Sequence, residues 1–298
     1  MNRTVPGSIC SLLLLLALGT ITNAQLVSVS QSPLMLNDSV WSIDLKVKNL
    51  TSRPLSVVSG VAFKIVRSDD DGHLYLDSAI TWEEMGHSCA AWIKISPREL
   101  TLPARSWRTL RVAVHSPSSL SDGEFWCNLV IKGRSDGELQ ADARQDSTAP
   151  APAAAGELSV PIVVRKGTVE TGMEIGKVTA YQRIPHVSIS RKDTAWNGVI
   201  VLVDTRRLGN GAYRGTMFAS IRKPDGTEVA TSRRSYSLFW NRRLRLEFPR
   251  LKDGTYTLSL ESRTETDDDT TEQPIPAPTV LKKVQLRVKG TIVEVREE

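Results

Sequence analysis

Apolar and polar residues alternate in short runs along most of this chain. Leu26, Val27 and Val29 open the pattern; Leu34 and Leu36, then Val40, Ile43, Leu45 and Val47, follow. A further run holds Val57, Val58, Val61, Phe63, Ile65 and Val66, and is closed by the polar turn Ser68 to Gly72. Next come Ile93 and Ile95, then Leu110, Val112 and Val114, then Phe125, Cys127, Leu129 and Ile131. Period two with polar partners between is the mark of half-buried strands. Pro97, Pro103, Pro117 and the pair Asp122-Gly123 supply turn chemistry where the chain must reverse. The second half repeats this grammar at Ile184 to Ile189, Val199 to Val203, Met217 to Ile221, Leu244 to Phe248, Tyr256 to Leu260 and Val284 to Val288. Strands at roughly ten-residue intervals, with no convincing amphipathic helix, predict an all-β protein of sandwich type.

With 298 residues the chain is long enough for two domains of ordinary size. Residues 1–24 read as a secretory signal: Arg3 is basic, Ile9 to Leu18 is apolar apart from Ser11, and Thr22-Asn23-Ala24 ends in small residues. The run is too short for a stable membrane span. The expected location is therefore the periplasm or the cell exterior, with no membrane-spanning segment. Residues 25–166 form the predicted first domain and 167–298 the second, with Arg165-Lys166-Gly167 as the hinge. Gly133 to Gly156, rich in Ala, Pro, Asp and Ser, reads as a mobile loop; Asp267 to Pro278 reads as an exposed one.

After that loop, Leu158, Val160, Ile162 and Val164 alternate strictly, with Pro161 among them. Proline cannot donate to a ladder, so the strand is predicted at an edge or only partly paired. It is the candidate partner-binding strand; covering its own core is the other reading of the same pattern, because period two does not tell which face is open.

Removal of the signal leaves Cys89 and Cys127, an even pair in an oxidising compartment and hence a candidate disulfide. Two buried thiols, acting as small hydrophobes, are the alternative. The net charge of +5 is spread over a long chain, without a dense basic tract carrying aromatics, which points away from nucleic acid. The densest positive stretch combines Arg233 and Arg234 with Arg242, Arg243 and Arg245; Arg243 and Arg245 fall on one outward face if Leu244 and Leu246 point inward. Such a patch would suit an acidic partner, or be an ordinary solvated face.

No catalytic constellation, phosphate-cradling loop or dinucleotide fingerprint is present. His73, His87, His115 and His186 are scattered and read as surface or turn residues. Asp69, Asp71 and Gly72 form only a fragment of a calcium loop. The expectation is a non-enzymatic protein with neither metal nor cofactor.

Leu120-Ser121-Asp122-Gly123-Glu124-Phe125 recurs as Leu251-Lys252-Asp253-Gly254-Thr255-Tyr256, each entering a strand. Immunoglobulin-like domains carry an aromatic two residues before the second cysteine of the sandwich, and Phe125 and Cys127 have that spacing. The hydroxyl of a tyrosine corner is available only at Tyr256.

At this point the residues resemble a family. Ile93-Lys94-Ile95-Ser96-Pro97, the stretch Leu100 to Val114 and Phe125-Trp126-Cys127-Asn128-Leu129 resemble strands of the amino-terminal domain of periplasmic pilus-assembly chaperones. The resemblance covers roughly Gln25 to Lys166. It implies two immunoglobulin-like domains set at an angle, and a strand, here Leu158 to Val164, lent to a pilin-like or other secreted subunit. It also implies a basic pair gripping the client's terminal carboxylate, but the matching positions here are near Gln31 and Pro161, and neither is basic. A structural or adhesive cell-surface protein without chaperone activity is the alternative role.

Overall fold

The computed structural model describes residues 26–135, 156–183, 198–264 and 274–297. The signal segment therefore lies outside the described residues, as do most of the Gly133 to Gly156 stretch and the run Ile184 to Ile189.

The first half contains β1 (Val27–Val29), β2 (Leu34–Asn37), β3 (Ser42–Asn49), β4 (Leu55–Ala62), β5 (Ile65–Ser68) and β6 (Leu74–Asp77). A single helical turn, α1 (Trp82–Met85), is followed by β7 (Ile93–Ser96), β8 (Glu99–Leu102), β9 (Trp107–Val114), β10 (Gly123–Ser135) and β11 (Glu157–Lys166). The second half holds β12 (Thr171–Arg183), β13 (Gly198–Gly209), β14 (Tyr213–Arg222) and β15 (Glu228–Leu238). It ends with β16 (Arg242–Pro249), β17 (Gly254–Arg263), β18 (Val280–Lys289) and β19 (Ile292–Glu297).

Two sandwiches result. In the first, the sheet β1-β3-β9-β7 faces the sheet β2-β11-β10-β4-β8. In the second, β12-β13-β16 faces β15-β14-β17-β18-β19. Each has its own core. Leu36, Leu45, Leu110, Leu129 and Ile162 lie in one; Val201, Met217, Leu246, Leu258 and Leu286 lie in the other. The inward residues are the apolar parity of each strand, the cause of the alternation seen in the sequence. The all-β, two-sandwich class predicted from that alternation is the class observed.

The chain begins by changing sheets. β1 pairs antiparallel with β3, whereas β2 pairs parallel with β11, so the crossover between Val29 and Leu34 ties the two sheets of the first sandwich together. The run from Val57 to Val66, continuous in its pattern, is two strands. β4 stays in the sandwich, while β5 leaves it and, among the described residues, pairs with β6 alone as a hairpin. The predicted loop also begins later than expected, since Gly133 and Arg134 still pair with Val57 and Ser56 of β4.

The repeated Asp-Gly motif is a repeated geometry. Gly123 and Gly254 have φ of 152° and 156° and each starts its strand. The tyrosine corner forms where it was expected: the Tyr256 hydroxyl donates to the Lys252 carbonyl at 2.9 Å. Phe125 instead packs edge-on against Trp92, with ring centroids 5.0 Å apart.

Candidate functional site

β11 carries the candidate partner-binding residues. Along its whole length it pairs with β10, from Glu157 opposite Lys132 to Lys166 opposite Gly123. On its other side β2 covers only Ile162 to Arg165. The ladder of residues 157–161 is thus unpaired on one side among the described residues, and Pro161, which has no amide hydrogen, lies at the junction. The side chains are committed elsewhere: Val160, Ile162 and Val164 are buried in the first core and Leu158 packs against it. What this strand has free is backbone, over its first half.

The upper end of β11 is fixed by a buried charge cluster that joins the sandwiches. Glu124, at the start of β10, has a fully buried side chain and meets two arginines. Arg165 of β11 approaches it at 2.8 Å through Nε. Arg214 of β14 grips it with two nitrogens, at 2.8 and 3.0 Å. The Ala212 amide adds a donor at 3.3 Å. Paired guanidiniums and an amide replace the water that Glu124 gives up, and that pairing is what makes a buried carboxylate tolerable.

An aromatic layer lies beside this cluster. His87 stacks on Trp126 with ring centroids 4.9 Å apart and meets Trp240 edge-on at 5.2 Å. Trp126 also contacts Phe239, and Arg207 lies over both indoles. Burial, followed by the nearby charge of Arg207, holds the His87 pKa below its ordinary value. His87 is therefore no surface histidine: it is part of the contact between the domains.

A second contact lies at the start of the second sandwich's β16. The tip of the β5–β6 hairpin, the polar turn Ser68 to Gly72, rests on β16. The Ser68 hydroxyl accepts from the Arg243 amide at 2.8 Å, and Arg243 donates to the Asp70 carbonyl at 3.1 Å. Tyr181 donates to Asp71 at 3.2 Å. Gly72, with φ of 77°, is so close that a Cβ there would stand 2.8 Å from Cβ of Arg245.

This contact corrects the basic patch. Arg243 pairs with Asp204 at 2.7 Å and Arg245 with Glu247 at 2.8 Å, beneath the hairpin tip. Arg234 donates to the Arg245 carbonyl and Arg242 to the Ser237 carbonyl. Arg233 lies over the Phe218 ring. Arg243 and Arg245 alternate with the inward Leu244 and Leu246, and the face they project from is occupied by the other domain. Asp69, read as part of a calcium fragment, accepts from the Asp71 and His73 amides of its own turn. Among the described residues no group of three or more His, Cys, Asp or Glu is placed to hold a metal ion, and no helix is long and apolar enough to cross a membrane.

Cys89 and Cys127 come together, with their sulfurs 3.2 Å apart in the first core. That is contact distance, not a bond. Cys89 lies on no strand: it caps the start of a 3-10 turn, Ala90–Trp92. Burial pushes its thiol pKa up.

The residues missed by sequence reasoning are Glu124, Arg165, Arg214 and the His87–Trp126–Trp240 layer. A signal existed: Glu124 and Trp126 fall on the outward parity of β10, and a tryptophan there announces that something covers that face.

No family model and no curated protein matches this chain. Solved structures do. The CupB2 chaperone of Pseudomonas aeruginosa is 10% identical, with 86% of this chain and 98% of that one covered and a TM-score of 0.37. The E. coli chaperone DraB gives 13%, 86%, 94% and 0.38. The Salmonella enterica SafA pilin in complex with the SafB chaperone gives 11%, 87%, 97% and 0.39. At such identities and scores the likeness assigns no residue a role. In arrangement, over most of its length, the chain is similar to fimbrial chaperones, the family its strands around Ile95 and Trp126 resemble.

Proposed function

We propose that this chain is an exported, non-enzymatic protein-binding module, acting in the periplasm, that takes up a partner by strand addition along the open half of β11. The observation that carries this reading is the end of β2 pairing at Ile162, which among the described residues leaves the ladder of residues 157–161 free on one side. An unpaired run of amides and carbonyls is a template for another strand, in which backbone hydrogen bonds give affinity. The partner class, a pilin-like or other secreted subunit, follows from the family that the first domain's motifs resemble. The boundary between the domains is placed at Gly167.

The Trp126 amide goes to the His87 carbonyl and not to Val163 opposite it, so Val163 and, two and four residues before it, Pro161 and Ser159 turn their backbone groups away from β10; the Ser159 amide faces the open edge. Ser159→Pro removes that donor and leaves the inward parity untouched. Capture of a co-expressed pilin-like subunit is expected to fall at least tenfold, which corresponds to about 1.4 kcal/mol, while the melting temperature of the free protein holds. A folded variant that captures the subunit as well as the parent would rule the proposal out. Recovery of the mature protein in a surface filament, and not free in the periplasm, would favour the structural or adhesive role instead.

A further inference from the structure

We propose that Cys89 and Cys127 are oxidised to a disulfide that fastens the His87 arm to β10 and so holds the first domain's share of the interdomain aromatic layer.

The arm is already laid along the strand. Trp126 donates from its amide to the His87 carbonyl at 3.0 Å, and the Cys89 amide donates to the Trp126 carbonyl at 3.2 Å. Ser88 forms a parallel bridge with Trp126. These bonds set the register that leaves the two sulfurs 3.2 Å apart, each sealed from solvent. A disulfide needs about 2.0 Å between sulfurs, and these two already touch in the same buried pocket of the core. The arm has no regular strand or helix from Gly86 to Cys89, so these few backbone bonds are what hold it in place, yet His87 carries the stacking on Trp126 and the edge contact with Trp240. A covalent tie two residues from His87, to the neighbour of Trp126, would fix both rings.

Because the folded core excludes reagents, the bond would form during folding. A thiolate of one cysteine attacks the disulfide of a thiol-oxidising protein and forms a mixed disulfide; the second cysteine then displaces that protein. The two thiols lose two protons and two electrons, and the oxidant's disulfide becomes a dithiol. The oxidant belongs to an exporting compartment, so the formation route rests on the proposed export; the geometry does not.

The test has two arms. The full chain, recovered from the periplasm of a Gram-negative host, is denatured in a thiol-alkylating reagent without reductant and mapped by peptide mass. The reduced, denatured chain is also refolded in a glutathione redox buffer, which requires no export. A linked Cys89–Cys127 peptide is expected in both, with each cysteine alkylated only after reduction. If the chain never leaves the cytoplasm, the export reading fails and the refolding arm alone decides. Free thiols at both positions in the refolded, native protein overturn the disulfide. For the clamp, reductant is expected to lower the melting temperature of the parent and to leave C89A/C127A unmoved. A bonded parent whose melting and tryptophan emission ignore reductant overturns the role assigned to it.

Discussion

β11 and β16 both turn an apolar parity inward and a mixed parity outward, but different things cover them. β11 is flanked by β10 on one side and on the other by a β2 that reaches only as far as Ile162. β16 is covered on its outer face by the tip of the β5–β6 hairpin of the first domain, with Arg243 and Arg245 bonded to the hairpin's backbone carbonyls. In one strand the side chains are spent and backbone is free; in the other the side chains that looked free are the contact. A strand's availability is therefore set by its neighbours and not by its own pattern.

Substitutions can break or sharpen that contrast. The largest effect is expected at Val160, which is 1% exposed. Val160→Asp buries an unpaired carboxylate in the first core and should cost about 4 kcal/mol or more, seen as loss of the folded first domain in urea titrations. If Val160→Asp folds normally and only partner capture is lost, the inward assignment of β11 is wrong. Arg214→Ala comes next. It strips the bidentate partner from a fully buried Glu124 and is expected to cost about 3–5 kcal/mol. Calorimetry should then resolve separate melting of the two sandwiches; a single unchanged transition would mean that the cluster does not couple them.

At the other contact, Gly72→Ala meets both a φ of 77° and the Arg245 side chain. About 2 kcal/mol is expected. Gly226 provides the control, having φ of 85° and nothing within 4 Å of an added Cβ. Equal losses in urea titrations of the two variants would show that the hairpin tip is not pressed on β16. The smallest effect is Tyr256→Phe, which removes one hydrogen bond, worth about 1 kcal/mol. No change in the second domain's stability would mean the corner is ornamental.

Much of the fold was legible because each half-buried strand prints its parity. The Asp-Gly turns and the Tyr256 bond were legible from local spacing alone. β15 was not: Ala230, Ser232, Arg234 and Ser237 put small or polar residues on both parities. β19 hid for a related reason, since Ile292 is 63% exposed and breaks the alternation. α1 carries a visible capping box, Thr81 with Glu84, but four residues give no helical period. The candidate site divides in the same way. The partial pairing of β11 was announced by Pro161. The Glu124 cluster joins residues from β10, β11 and β14, and the hairpin reaches from Ser68 to Arg243, so neither contact has a local signature.

The linker itself is a fitted part. Gly167 has φ of 58°, and a Cβ there would overlap the Asp122 carboxylate, whose Oδ2 accepts from the Thr168 amide at 2.9 Å. Add the Glu124 cluster near this linker and the hairpin tip on β16, and the sandwiches are held at separated points as well as along the chain. Turning about the linker would have to break the Glu124 pairing or lift the hairpin tip from β16. A strain applied at β11 would therefore pass from Arg165 through Glu124 to Arg214, and so into the second sandwich, without travelling along the linker.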